Sequence, residues 1–257
     1  MEPDREPLPT RVRDTPALPD DYAQALDRGL VELGLALGPE ALAAIDGHVR
    51  LLLAWTRAIN LTAIRDPAAV ATGHVLDSLS AVPWLRARSP DRILDLGSGG
   101  GFPGLPIAAA LPGASVTLLE PIGKKAAFLR TAVDATGLAD RVAVVTGRAE
   151  ELAAEPTGRG TWSVVTARAV ASAADLAELA FPLLEPGGVL IAWKRGDLGA
   201  ELTAARRAVD ALGGGALDVH DVAIVGLAGH RLVTISRTGQ VPDAYPRDPA
   251  TRRRRPW

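Results

Sequence analysis

The sequence predicts an α/β protein, in which a seven-stranded, mostly parallel sheet follows an N-terminal helical extension. From residue 91 onwards, short β-rich segments alternate with helical stretches, which is the pattern of parallel strands joined by crossover helices. The last two β-rich segments are separated by a short link bounded by Gly226 and Gly229, and such a link suits an antiparallel hairpin. Before residue 89, apolar residues instead recur at helical spacing.

The helical region, residues 20–88, contains three predicted helix starts. Asp20 can cap the first helix, Pro39 suits the first turn of the second, and Pro67 opens the third. We expect a break in the third helix at Gly73, because glycine is a poor helix former.

The remaining regions differ from these helices in composition. Residues 1–19 hold five prolines and little apolar periodicity, so we predict a disordered leader. Residues 89–240 form the predicted α/β domain, and residues 241–257 form a basic C-terminal tail. In that tail, four adjacent arginines at 252–255 lie between prolines, which predicts a mobile segment without regular helix. Its charge is then free either to contact phosphate or to remain solvated.

The composition excludes several classes of chemistry. The 257 residues include no cysteine, which rules out disulfides, thiolate metal sites, iron–sulfur clusters and cysteine nucleophiles. There is no apolar signal core and no apolar run of the roughly 20 residues that cross a bilayer, so we expect a cytoplasmic protein that binds no membrane. The net charge of −2 means that any nucleic acid must bind to a local basic patch.

A glycine-rich loop follows the first predicted strand. The segment ILDLGSGGGFPG, residues 93–104, places five glycines within eight positions. Glycines at the carboxyl end of a parallel strand let backbone amides approach a ligand, so Gly97 and Gly99 predict the floor of a cofactor site. The loop also matches the dinucleotide fingerprint, but that match begins too far beyond the strand. Asp95 is better explained as a partner for the cationic amino-acid group of S-adenosyl-L-methionine (SAM), which NAD lacks.

Acidic residues follow the next two strands. Glu120 ends the second strand, where a carboxylate can accept both ribose hydroxyls of either NAD or SAM. Glu150 follows the third strand, where it can read the adenine edge, although acids also begin helices for structural reasons. With the late hairpin, these features favour the Rossmann-like sheet of class I SAM-dependent methyltransferases over a plain dinucleotide-binding domain.

The residues at the next strand ends bear on the methyl acceptor. The fourth strand ends without an Asn-Pro-Pro-Tyr type of motif, and an in-plane ring nitrogen such as guanine N7 is a compatible acceptor. Arg168, Lys194 and Arg195 lie on this rim and suit phosphate or the O6 and N7 face of guanine, unless they are merely solvated charges. His74 shares one helix face with Asp77, and the four scattered histidines predict no metal site.

Several segments in order resemble the RsmG (GidB) family. They are NLTAI at 60–64, RDP at 65–67, HVLDSL at 74–79, DLGSGGGFPGLPIA at 95–108, EPIGKK at 120–125, FLR at 128–130, GRAE at 147–150 and ARA at 167–169. The resemblance covers about residues 25–250. Members are SAM-dependent methyltransferases that modify N7 of a guanine in helix 18 of 16S rRNA, in the small ribosomal subunit.

The resemblance implies roles for individual residues. It implies SAM contacts at Gly97, Phe102, Ala149, Glu150 and Arg168, to which the strand-end argument adds Gly99 and Glu120. No catalytic group is assigned, and the candidates for orienting the substrate are Arg168, Lys194 and His74. Two positions depart from the family pattern: Arg195 separates Lys194 from Gly196, and Ala167 precedes Arg168 in place of serine.

The expected partner is 16S rRNA, either within the small subunit or within an assembly intermediate, and we expect a monomer. Two alternatives stay open from the sequence. One is an NAD-dependent oxidoreductase on a similar sheet, and the other is a noncatalytic RNA-binding module.

Overall fold

The fold is that of a computed structural model, which describes residues 7–257. Its sheet has seven strands in the order β3-β2-β1-β4-β5-β7-β6. The strands are Arg92–Leu96 (β1), Ser115–Glu120 (β2), Val142–Thr146 (β3), Trp162–Arg168 (β4), Leu184–Arg195 (β5), Gly214–Asp221 (β6) and His230–Arg237 (β7). β7 runs antiparallel to both of its neighbours, and the other pairs are parallel. This confirms the predicted sheet and its late hairpin.

Helices precede the sheet and cover both of its faces. They are Asp20–Glu32 (α1), Pro39–Ile59 (α2), Pro67–Val70 (α3), Asp77–Leu79 (α4), Val82–Arg88 (α5), Gly104–Ala110 (α6), Gly123–Ala135 (α7), Ala149–Ala154 (α8), Ala173–Ala180 (α9), Gly199–Ala211 (α10) and Pro249–Arg254 (α11). The second and third begin at Pro39 and Pro67, as the sequence predicts, whereas Asp20 is the first residue of α1 and not its cap. A π-helical turn, Ala71–Leu76, joins α3 to α4, so the expected break at Gly73 is a widened turn.

The core lies in two layers, one on each face of the sheet. Ile93 of β1 belongs to the layer that contains the N-terminal helices, and the adjacent Leu94 belongs to the opposite layer with Phe181. The alternation follows from the strand itself, because successive side chains point to opposite faces. Ile93, Leu94 and Phe181 are each 0% exposed, so both layers contain side chains that are fully shielded from solvent.

The described part of the predicted leader, residues 7–19, is ordered, contrary to expectation. Trp55 of α2 donates its indole N–H to the Pro9 carbonyl at 2.8 Å. Arg50 of α2 donates to two further carbonyls of this segment, at 3.0 and 2.5 Å. These partners satisfy the backbone of a segment whose own composition favours disorder, and they come from a helix distant in sequence. Residues 1–6, the rest of the predicted leader, lie outside the described residues.

The basic tail, residues 241–257, also differs from the prediction, because it contains α11. Asp248 caps this helix by accepting from the backbone amides of the second and third residues after it, each at 3.0 Å. Pro249 occupies the first helical position, where the missing N–H costs no hydrogen bond. The prolines therefore bound the helix without preventing it. Across residues 7–257, no helix is long and apolar enough to cross a membrane.

Candidate functional site

The glycine loop, residues 97–104, turns back over the carboxyl end of β1. Gly97 and Gly101 have φ values of +74° and +90°, which side-chain-bearing residues rarely adopt. A Cβ atom at Gly97 would lie 2.7 Å from a methyl group of Val170, and one at Gly101 would lie 2.6 Å from Leu105. Glycine is therefore required at these two positions because the loop backbone packs closely against side chains of the protein itself.

The buried carboxylate of Asp95 binds the glycine loop by hydrogen bonds. Its carboxylate accepts from the Gly104 amide at 3.1 Å and from the Thr166 hydroxyl at 2.9 Å, and the residue is 0% exposed. Burial raises the pKa of Asp95 to about 6, although the hydrogen bonds from Thr166 and Gly104 oppose that shift. The structure thus places Asp95 inside the loop, and not where the sequence predicts that it meets the amino group of SAM.

Glu120 joins the end of β2 to the same loop. One carboxylate oxygen accepts from the Gly99 amide at 2.8 Å, and the other accepts from the Ile122 amide at 2.9 Å. Each oxygen of an ionised carboxylate has a further lone pair. Glu120 can therefore hold the loop and still accept from hydroxyl groups of a ligand.

A cavity of about 230 Å³ lies beside the loop and the end of β3. It brings together three of the predicted cofactor residues, Gly97, Ala149 and Glu150. Its lining also includes Leu119, Gly147 and Arg252. Gly99 and Glu120 adjoin it through their mutual hydrogen bond. Arg252 belongs to the tail, and no feature of the sequence predicts its presence here.

A second cavity, of about 530 Å³, lies beyond the ends of β4 and β5. It brings together His74, Arg168 and Lys194, the three candidates for orienting the substrate. Its lining also includes Asp77, Trp193 and His230. Arg195 also lines it. Residues 168–169 line this second cavity, and residues 170–171 line the first, so the two cavities lie on either side of the end of β4.

Arg168 is held by the helical segment that contains the π turn. Its guanidinium donates to an Asp77 carboxylate oxygen at 2.9 Å and to Nδ1 of His74 at 3.0 Å. Nδ1 of His74 also lies 3.1 Å from the Gly73 carbonyl, and Nε2 lies 2.6 Å from the Thr62 hydroxyl. Burial, followed by the charge of Arg168, lowers the pKa of His74 to about 4. His74 is thus neutral at pH 7.

Phe102 connects the loop to this network. Its ring stacks on His74, with centroids 4.8 Å apart, and lies 5.2 Å from the guanidinium carbon of Arg168. The ring centroid of His48 in α2 also lies 4.6 Å from that of Phe102. Phe102 and Arg168, which the resemblance associates with SAM, therefore lie together on the side of the second cavity.

A protein-family model described as GidB, rRNA small subunit methyltransferase G, matches residues 41–225. The chain belongs to this family. A Ribosomal RNA small subunit methyltransferase G from Roseiflexus sp. (strain RS-1) is 41% identical over 224 residues, which is 87% of this chain and 94% of the relative. Another, from Geobacillus kaustophilus, is 36% identical over 228 residues, with coverages of 88% and 95%.

Solved structures similar to this member of the family share its fold. An O-methyltransferase from Bacillus cereus in complex with SAH superimposes with a TM-score of 0.53 at 20% identity, covering 76% of this chain and 91% of that one. A SAM-dependent O-methyltransferase from Thermotoga maritima gives 0.53 at 15% identity, with coverages of 75% and 73%. The comparisons confirm the predicted class I fold, methyltransferase activity and SAM as cofactor.

The sequence does not reveal how Asp77 is used in this methyltransferase. Asp77 is 3% exposed, and its second carboxylate oxygen lies 3.0 Å from Nδ1 of His230. The indole N–H of Trp193 donates to the backbone carbonyl of Asp77 at 2.6 Å. His230 and Trp193 come from β7 and β5, so no local spacing relates them to Asp77. The sequence contains one hint of the contacts around Asp77, which is that His74 and Asp77 lie on one helix face.

Lys194 is a weaker candidate than the sequence suggests. Its ammonium lies 2.6 Å from a carboxylate oxygen of Glu201 and donates to the Ala171 carbonyl at the same distance. The charge is therefore compensated within the protein. Among residues 7–257, no group of three or more His, Asp or Glu side chains is arranged to hold a metal ion.

Proposed function

We propose that this enzyme transfers the methyl group of SAM to N7 of a guanine in helix 18 of 16S rRNA. The observation that supports this proposal most directly is the position of the two cavities on either side of the β4 end. A cofactor in the first and a base in the second would bring donor and acceptor together there.

The adenosine part of SAM fits the first cavity. Glu120 would accept from the ribose hydroxyls, and Glu150 would accept from the exocyclic amino group of adenine. Gly97, Gly99 and Ala149 would bring backbone close to the nucleoside. Phe102 and Arg168 would lie towards the methionine end, next to the second cavity.

Transfer to N7 requires alignment more than acid–base chemistry. SAM would supply a methyl group on a sulfonium; the in-plane lone pair of N7 would form the new bond as the carbon–sulfur bond breaks, and the positive charge would pass to the purine. No proton has to be removed first. This agrees with a neutral His74 whose two ring nitrogens are both engaged. Orientation of the two reactants can then supply several kcal/mol of the rate enhancement.

Arg168 would orient the guanine. A guanidinium carries five N–H groups, and three hydrogen bonds to Gly73, Asp77 and His74 leave two of them. These can donate to O6 of guanine or to a phosphate. Trp193, 5% exposed, adds an aromatic surface to the cavity wall. Arg168 is thus both anchored and able to bind substrate.

The substrate is 16S rRNA, either in the small subunit or in an assembly intermediate, and a ribosomal substrate would place the enzyme in the cytoplasm. The exposed arginines at 253–255 would contact phosphates around the target. A monomer is sufficient for this scheme, because both cavities are formed by one chain. The oligomeric state stays a prediction.

Transfer of a labelled methyl group tests the proposal. Naked 16S rRNA, assembly intermediates and mature small subunits are each incubated with the enzyme and methyl-labelled SAM, and N7-methylguanine is mapped by borohydride reduction and aniline cleavage. We expect one cleavage site in helix 18, absent when that guanine is replaced by adenine. Binding of RNA without incorporation would favour the noncatalytic module, and label at another atom or helix would contradict the proposed acceptor.

A further inference from the structure

The tail is attached to the methyltransferase fold by a buried carboxylate. Glu178 of α9 is 0% exposed. It accepts from the Arg247 guanidinium at 2.6 Å, from the Arg247 amide at 2.8 Å and from the Trp257 indole at 2.7 Å. Breaking a buried ion pair by removing one partner is strongly destabilising. The tail is therefore a fixed part of the fold.

This attachment brings Arg252 of α11 onto α8. Its guanidinium lies 2.5 Å from a carboxylate oxygen of Glu150 and donates to the Arg247 carbonyl at 2.9 Å. The side chains of Arg252 and Glu150 are only 14% and 17% exposed, whereas the three following arginines are exposed. Arg252 is thus distinct within the basic run, because it is inserted into the wall of the first cavity.

We propose that Arg252 is a positioning residue for SAM, which fixes the Glu150 carboxylate so that it recognises the adenine amino group. This inference rests on the proposed placement of adenine in the first cavity. Glu150 has two carboxylate oxygens with several lone pairs, so one pair can accept from Arg252 while another accepts from adenine. A free glutamate would lose rotamer entropy on binding the base, and the ion pair removes that cost in advance.

A fixed Glu150 carboxylate also affects base specificity. Adenine presents an amino donor at its sixth position, whereas hypoxanthine presents a carbonyl acceptor there. A carboxylate that is held towards this position favours adenine and repels hypoxanthine. If Arg252 were absent, Glu150 could turn into solvent, and the preference for adenine would decrease.

Calorimetry with two product analogues tests this role. S-adenosylhomocysteine and S-inosylhomocysteine are titrated into the full chain and into Arg252→Ala, Arg252→Lys and Arg254→Ala. We expect Arg252→Ala to weaken the adenosyl compound about five- to tenfold, within the usual net range for one hydrogen bond because the effect of Arg252 is indirect, and to weaken the inosyl compound less. Arg252→Lys should restore part of the ratio, and the exposed Arg254→Ala should leave both affinities unchanged.

Glu150→Ala separates failure of this inference from failure of the site. If Glu150→Ala changes neither affinity, adenine does not bind at Glu150 and the proposed site is wrong. If Glu150→Ala weakens the adenosyl compound but Arg252→Ala does not, the site stands and the role of Arg252 is overturned. Tighter binding to Arg252→Ala would also overturn it, because Arg252 would then obstruct the cavity. The Arg252→Lys titration decides the matter if Arg252→Ala does not fold.

Discussion

At the scale of single residues, Glu120 has two roles, of which the sequence predicts only the contact with ribose. It ends β2, where an acid suits a ribose, and it also holds the glycine loop through the Gly99 amide. The amides that it binds are only part-buried, so water can replace the carboxylate if it is removed. The loop should therefore survive its loss better than the cofactor site.

We predict that Glu120→Ala weakens SAM binding while the fold persists. A carboxylate bonded to two hydroxyls contributes roughly 1 to 3 kcal/mol, which corresponds to an increase in the SAM dissociation constant of about five- to 150-fold. Calorimetry measures it, with the exposed Glu155→Ala as a control of equal charge change. An unchanged dissociation constant for Glu120→Ala would remove Glu120 from the cofactor site.

Arg168 requires a milder substitution, because it compensates the buried Asp77. We predict that Arg168→Lys lowers turnover at saturating SAM and RNA at least tenfold, roughly the effect of a misoriented substrate, with a small change in melting temperature. Lysine keeps the charge near Asp77 but cannot also reach His74 and the substrate. Single-turnover methylation measures the effect, and Arg195→Lys on the same rim is the control. Equal turnover in the two variants would make Arg168 a purely structural partner of Asp77.

At the scale of elements, the tail shows where local patterns are insufficient. The run of arginines between prolines predicts a mobile segment, yet α11 forms because Asp248 caps it and Pro249 begins it. What fixes it in place is Glu178, an acid of α9 whose burial no local spacing reveals. Truncation after Gln240 would remove Arg247 and Trp257 from Glu178 and Arg252 from the cofactor cavity.

The exposed side of α11 is where RNA binding should be tested. We predict that replacing Arg253, Arg254 and Arg255 together with alanine preserves SAM affinity. The same variant should bind small subunits more weakly and show a shallower dependence of log affinity on log salt. The slope should become shallower by roughly 0.7 to 0.9 for each phosphate that these arginines neutralise. Filter binding at several salt concentrations measures it.

The matched control replaces three exposed arginines outside the tail, namely Arg28, Arg206 and Arg207. It removes the same charge from other surfaces, so any change specific to the tail variant reflects a local interaction with RNA. If the two triple variants have the same affinity and slope, α11 makes no RNA contact, and its arginines are solvated charges.

At the scale of the whole molecule, sequence patterns predict the elements better than their contacts. The alternation after residue 91 is enough to predict the sheet, and Glu120 lies at the end of β2 and Glu150 follows β3, as the sequence predicts. The pairs that shape the site join distant segments: Asp77 with His230, and Glu150 with Arg252. Such pairs depend on how layers pack. The same limit explains why the sequence suggests a ligand residue at Asp95, which is an internal anchor of the loop.

Two buried titratable groups around the loop, His48 and Asp95, and the part-buried His74 make the stability of the whole fold depend on pH. His48 is 1% exposed and lies 2.7 Å from the Gly100 carbonyl through Nε2. Burial lowers the pKa of His48 to about 4, and that of His74 to about 4 as well. Between pH 6.5 and pH 4 each histidine binds a proton when unfolded but not when folded, so stability decreases as pH decreases. Asp95 acts oppositely, because its raised pKa of about 6 means that the folded form binds the proton first.

Between pH 6 and pH 5, unfolding lets the two histidines bind nearly two protons and makes Asp95 release nearly one. The net uptake on unfolding is therefore about one proton. We therefore predict that the free energy of unfolding decreases by about 1.4 kcal/mol over that unit, as measured by urea denaturation. His48→Gln, whose amide can still donate to Gly100, should make the dependence nearly flat, because His74 and Asp95 then cancel. Asp95→Asn should make it about twice as steep. If His48→Gln has the slope of the unsubstituted protein, His48 is not a neutral, buried partner of the loop, and the acid sensitivity of the fold must come from other groups.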